Sequence, residues 1–198
     1  MSALRVVALD LATTTGLAHT HDSTGAERLA VRSIPAGLRP LHDQIDIIEI
    51  AVRKACGAPT GRIITVARPD LVVVEGTFSR PGGSDYPLHA LRAVVLQWLY
   101  RQRIPYVEVA PATLKVWATG SGSTRGENKV TKDKVCAAVV ATYGRFLNIN
   151  PRDDNACDAV ALLTLGLAAY GQPLTEVSLH SKRAIAAVKW PDLAKAAA

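Results

Sequence analysis

The chain is poor in the features that mark several protein classes. Its three cysteines, Cys56, Cys136 and Cys157, are odd in number and far apart. They therefore supply neither a disulfide framework nor the closely spaced pairs of a zinc site, and read as small buried side chains in a reducing compartment. No apolar run approaches the about 20 residues that a membrane helix needs, so no membrane partner is expected. Met1 leads through "SALRVVALD" straight into strand-like residues. The basic stretch, apolar core and small-residue cleavage site of a secretory leader are missing there, and the expected location is the cytoplasm. Internal repeats are absent, and so is any linker long enough to separate two domains. Negative charge is in the minority: 17 Asp and Glu stand against 23 Lys and Arg, a net charge of +6 that favours a polyanionic partner.

What is present is the composition of a folded globular chain. Of 198 residues, 48% are hydrophobic and 20% charged, enough to bury one core. The expected organisation is one domain over residues 1–170 followed by a helical, basic tail over 171–198. "LRVVALDLA", "GLAHTHD" and "ERLAVRSI" read as three strands joined by the turn-like "TTT" and "STGA", an antiparallel meander. In "PLHDQIDIIEIAVRKAC", Leu41, Ile45, Ile48, Val52 and Ala55 recur at helical spacing. "DLVVVEG" is a short β-branched run typical of a central strand. A helix carrying Leu88, Leu91, Val95, Trp98 and Leu99 follows, then the strand "IPYVEVAP", the short helix "ATLKVWATG" and the exposed loop "SGSTRGENK". Two more helices come from "TKDKVCAAVVATYG", capped by Thr131, and "DDNACDAVALLTLGLAAYG", with acids at its positive end. The order predicts an α/β fold, a mixed sheet flanked by helices.

Four acids stand out against this pattern. Asp10 sits inside the apolar run "VVALDLA", where an uncompensated carboxylate is costly. Glu75 ends "LVVVE" as Asp10 ends "VVALD", and the carboxyl ends of central strands are where open α/β sheets bind ligands. Asp154 and Asp158 lie four residues apart, on one face of a helix, where two like charges call for a cation. Four carboxylates can hold two hard divalent ions about 3.5–4 Å apart, the arrangement that activates a water and stabilises the leaving oxygen of a phosphodiester. The plainer alternatives are solvated strand ends for single acids and helix-capping roles for Asp153 and Asp154.

Taken in order, "VVALDLATTTGLA", "VVVEGTFS", "APATLKVWATGSGSTRGENKVTKDKV" and "DDNACDAVALL" resemble the motifs of the RNase H-like nuclease superfamily, and within it the RuvC-type Holliday junction resolvases. The similarity runs over roughly residues 5 to 168. It implies an RNase H-like mixed five-stranded sheet, with Asp10, Glu75 and Asp158 as ligands of Mg²⁺ or Mn²⁺, two ions per site. The family commonly places an acid three residues before the last aspartate, a position held here by Asn155. Asp154, one residue earlier, is the expected fourth ligand, with Asn155 assisting. Lys132 matches a family lysine that stabilises the phosphate or assists the water, and Lys115 an earlier one that contacts phosphate. Phe78 falls where the family places an aromatic suited to wedging against unstacked bases.

Arg80 and Arg92 near the second motif, Arg125 and Lys129 in the loop, and Lys134 beyond it are expected to track the DNA backbone. The implied activity is that of a crossover junction endodeoxyribonuclease acting on branched DNA in recombination, repair or phage DNA processing. The implied assembly is a homodimer built largely on the helix after Glu75, in a bacterial or phage-infected cell. The stripe from Leu88 to Leu99 serves either that interface or the chain's own core. The alternatives are a general or RNA/DNA-hybrid nuclease using the same acids, a non-catalytic junction-binding protein, and half of an actin-like ATPase, whose duplicated second domain 198 residues cannot accommodate.

Overall fold

A computed structural model describes residues 3–21, 26–58, 68–76, 86–123 and 129–196. Strands β1 (Val6–Asp10), β2 (Thr14–His21) and β3 (Glu27–Pro35) form the antiparallel meander. Helix α1 (Leu41–Ala55) leads to β4 (Leu71–Glu75), helix α2 (Tyr86–Arg101) and β5 (Tyr106–Val109). Helices α3 (Pro111–Thr119), α4 (Lys132–Tyr143), α5 (Asp154–Ala169), α6 (Leu179–Ala186) and α7 (Leu193–Ala196) complete the chain. The five-stranded sheet has the order β3-β2-β1-β4-β5, with β4 parallel to both β1 and β5. This is the mixed sheet expected from the pattern of elements.

Strand alternation divides the core in two. Val6, Ala8, Leu71, Val73, Val107 and Val109 face α3, α4 and α5. Val7, Leu9, Val72 and Val74 face α1 and α2. Because both faces are covered, β1 and β4 are buried along their lengths, which is why they read as continuous apolar runs. The stripe on α2 belongs to the second layer: Leu91, Val95 and Leu99 are buried, and Trp98 packs beside them under the Arg53 guanidinium. That stripe is therefore intrachain core and not a surface for a second copy. The segment after Gly171 is also held down. Leu174, Val177, Ala184 and Trp190 pack on the first layer, and the Tyr170 hydroxyl donates to the Pro191 carbonyl at 2.6 Å.

Register and parity bring the first two acids together. Leu9 pairs with Val74 in the parallel ladder, so one residue on, Asp10 and Glu75 stand side by side, both on the α5 face. Helix α5 is almost wholly buried and lies closely over β1 and β2. Its approach depends on Gly16, the antiparallel partner of Asp10, where a Cβ would stand 1.9 Å from the Asn155 carbonyl oxygen. Gly16→Ala is accordingly expected to push the first turn of α5 off the sheet. A loss of about 2–3 kcal/mol, or ~5–10 °C in Tm, should be seen by calorimetry. An unchanged Tm would mean that this end of α5 is free to shift.

Candidate metal centre

Three carboxylates converge at the carboxyl edge of β1 and β4. Oxygens of Asp10, Glu75 and Asp158 all lie within 4.8 Å of one another. Asp10 is only 6% exposed. Asp158 reaches the strands from the second turn of α5, and the start of that helix is fixed by two side-chain contacts. Asp153 caps it, Oδ1 accepting from the Ala156 N–H at 3.0 Å, and the same oxygen accepts from the Ser33 hydroxyl on β3 at 2.7 Å. Asn155 ties the turn to the site. With its amide oriented to satisfy its neighbours, the nitrogen donates to the Thr14 carbonyl at 3.0 Å and to Asp10 Oδ2 at 3.1 Å. Asn155 thus holds the Asp10 carboxylate in place.

The charges explain why such a cluster needs a cation. Burial raises the Asp10 carboxyl well above its usual range, and the neighbouring Glu75 raises it further. Burial raises Glu75 as well. Asp158 is pushed up to about 7, first by burial and then by the charge of Asp10. A hard divalent ion removes this conflict, since oxygen donors in a cramped, partly dry site are what Mg²⁺ and Mn²⁺ select. The site opens into a cavity of about 330 Å³, whose walls also include Lys115, Lys132 and Asn155.

The other expected residues divide into three groups. Lys115 and Lys132 face the acids and lower the Glu75 carboxyl by their charge. Asp154 does not join the triad. It pairs with Lys132, which lowers the Asp154 carboxyl and raises the Lys132 ammonium, so this lysine stays protonated. The reason is helical geometry: Asp154 opens α5 on the side turned toward the start of α4. Lys129 and Lys134 are exposed beside the site, the Lys134 ammonium donating to the Lys129 carbonyl at 3.0 Å. Phe78, Arg80 and Arg125 lie outside the described residues.

Arg92 departs from expectation altogether. It is 7% exposed, donates to the Glu75 carbonyl oxygen at 2.5 Å and pairs with Glu108 on β5. It therefore cannot track a DNA backbone; it fixes the strand end that presents Glu75. Its place four residues after Leu88, on the apolar stripe of α2, was the signal of a buried role.

No family model matches the chain. Among curated relatives, it is 34% identical over 110 residues to the crossover junction endodeoxyribonuclease RuvC of Prochlorococcus marinus strain MIT 9211, covering 56% of this chain and 63% of that protein. It is 30% identical over 128 residues to the RuvC of strain MIT 9303, covering 64% of this chain and 73% of the relative. The chain belongs to the RuvC family. The structure of Thermus thermophilus RuvC superposes with a TM-score of 0.56 at 21% identity, over 86% of this chain and all of that one. T. thermophilus RuvC in complex with Holliday junction substrate gives a TM-score of 0.57 at 20% identity, over 81% and 90% of the two chains. These likenesses establish an RNase H-like RuvC fold. The first of the curated relatives is matched over less than two thirds of its length.

Two outcomes follow from this site. A carboxyl whose folded pKa lies above its unfolded value binds more protons in the fold, so it destabilises the protein as pH rises from about 4 through 7. Asp158→Asn should therefore raise the Tm of the metal-free protein at pH 8 by ~4–8 °C, about 2 kcal/mol, and the gain should shrink as pH falls from 7 toward 4. A Tm that drops at pH 8 would show that the carboxylate is not under strain. Arg92→Ala leaves the Glu75 carbonyl and Glu108 without their donor. It should lower stability by about 2–4 kcal/mol and weaken Mn²⁺ binding measured by titration calorimetry.

Proposed function

We propose that the chain is a metal-dependent, structure-selective DNA endonuclease that resolves four-way junctions by paired symmetric nicks, acting in recombination and repair. The observation that carries this reading is the convergence of Asp10, Glu75 and Asp158 beside two lysines in an open cavity. Membership of the RuvC family supports it, as does the likeness to T. thermophilus RuvC in complex with Holliday junction substrate.

The triad suits Mg²⁺ or Mn²⁺, and two ions are proposed. When bound, such ions supply Lewis-acid activation of a water and stabilise the departing oxygen of a phosphodiester. The chain's own residues do the rest. Asp10 and Glu75 are presented by adjacent strands whose ladder fixes their spacing, and Asn155 fixes the Asp10 carboxylate. Lys132, kept protonated by Asp154, faces the scissile phosphate as a cation and not as a base, and Lys115 holds the phosphate from the α3 side. Asp154 completes the site from outside the triad by orienting Lys132. Phe78, Arg80, Arg125, Lys129 and Lys134 are proposed DNA contacts around this centre.

A homodimer matches the two-fold symmetry of a junction. Since the apolar stripe of α2 is core, the interface is proposed on the outward face of that helix, where Tyr86 is 71% and Tyr100 75% exposed.

The direct test is a labelled four-way junction and a matched linear duplex incubated with Mg²⁺, Mn²⁺ or EDTA and run on a denaturing gel. Symmetric, metal-dependent nicks confined to the junction are expected; equal cutting of both substrates would indicate a general nuclease. Asp10→Asn should lower cleavage by at least ~10³-fold while junction binding persists, and full activity would remove Asp10 from the site. Asp154→Ala should slow cleavage by ~10-fold and leave Mn²⁺ affinity within a factor of about 2. A loss of Mn²⁺ affinity as large as that of Asp10→Asn would make Asp154 a direct ligand.

A further inference from the structure

Helix α6 follows the described domain, carries a run of positive charge, and has no part in the metal centre. Between Glu176 and Asp192 the sequence holds Lys182, Arg183 and Lys189, together with His180, and no acid. The helix is built and anchored. Ser178 caps it, its hydroxyl oxygen accepting from the Ser181 N–H at 3.2 Å, and Ala184 is buried in the first core layer. Just beyond it, the Trp190 indole donates to the Ile185 carbonyl at 2.9 Å and meets the Tyr170 ring edge-on. His180, Lys182, Arg183 and Lys189 point outward from this fixed frame, all four exposed. Among the described residues, none of the three cations is paired with a carboxylate.

The position of α6 gives these charges a direction. The helix packs against α3, and the two enclose a groove of about 370 Å³ lined by Thr113, Val116, Gly120, Gly122, His180 and Arg183. Gly120 ends α3 in a left-handed conformation, φ 77°, which turns the chain under His180 and into the segment leading to Lys129. Lys115, five residues before Gly120 on α3, faces the metal-binding acids. The groove borders α3 from Ala112 to Gly120, on the face that carries Val116, about 100° around the helix from Lys115. Arg183 and Lys182 therefore sit on the helix packed against α3, the element that also carries Lys115.

We propose that α6 forms a second DNA-backbone site, in which Arg183 and Lys182 neutralise phosphates of the duplex leaving the metal centre and His180 borders the groove. The occupant is a phosphodiester backbone, because α6 itself presents exposed cations that, among the described residues, pair with no carboxylate, and carries no acid of its own to repel a polyanion. The site deepens the proposed function and rests on DNA being the substrate. It adds affinity, not chemistry, because α6 does not reach the acids.

The test is the full-length double variant Lys182→Ser/Arg183→Ser, measured by anisotropy on a four-way junction and on linear duplex at several salt concentrations. Both side chains are exposed, so Tm should match the parent. The expected result is a ~10-fold weaker Kd on both DNAs and a log K against log salt slope shallower by about 1–2, with the saturated cleavage rate unchanged. Arg183→Lys, which keeps the charge, should retain the parent slope. Parent-like affinity and slope in the double variant would overturn the inference even if junctions are cut. A shallower slope in a protein that shows no junction preference would uphold it and overturn junction resolution instead. If the parent protein binds neither DNA, both fall.

Discussion

Three carboxylates gathered in a partly dry site repel one another, and the rest of this fold is arranged to hold them there. Left alone, Asp10, Glu75 and Asp158 resist ionising together, and burial raises the carboxyl pKa of each. The scaffold that imposes the conflict is stiff. Two of the acids end buried parallel strands locked in one register, and the third rides on a helix sunk into the first core layer. A divalent cation relieves that strain, so the residues that oppose the apoprotein's stability are those that make a site selective for a hard ion.

The neighbouring groups show how the frame is tuned. Arg92 sits behind the sheet edge, its guanidinium buried, and grips the Glu75 backbone without facing the cavity. Asn155 contributes an amide where an acid would add a further negative charge, and it supplies a donor to Asp10. Asp154 is turned toward α4 and engages Lys132, so one ion pair joins the starts of two helices and keeps the ammonium charged at the rim. The site therefore has an inner layer of three acids and an outer layer that sets their orientation and charge.

Much of this was legible in the linear sequence because it depends on local periodicity. The β-branched runs around Ala8 and Val73 announced buried strands, the spacing of Ile48 and Val52 announced α1, and Thr131 and Asp153 announced the caps of α4 and α5. Asp10 and Glu75 at strand ends, and Asp158 on a helix, stood out as charges that the pattern alone did not accommodate. The fate of the α2 stripe was open, since periodicity marks an apolar face without saying what covers it. Tertiary packing settled it, placing Leu91, Val95 and Leu99 against the sheet.

What the sequence determined by itself was the order and type of the elements, and which acids could not be explained as ordinary surface residues. Only the tertiary structure decided which of those acids meet. Asp154 and Asp158 share a helix face, yet small differences in angle send one to Lys132 and the other to the triad. Nor could the sequence reveal that Gly16 matters because a helix passes directly over it, or that Arg92 is interior. These are relations between residues distant in the chain, set by strand register and by how closely helices approach the sheet, and no local pattern encodes either.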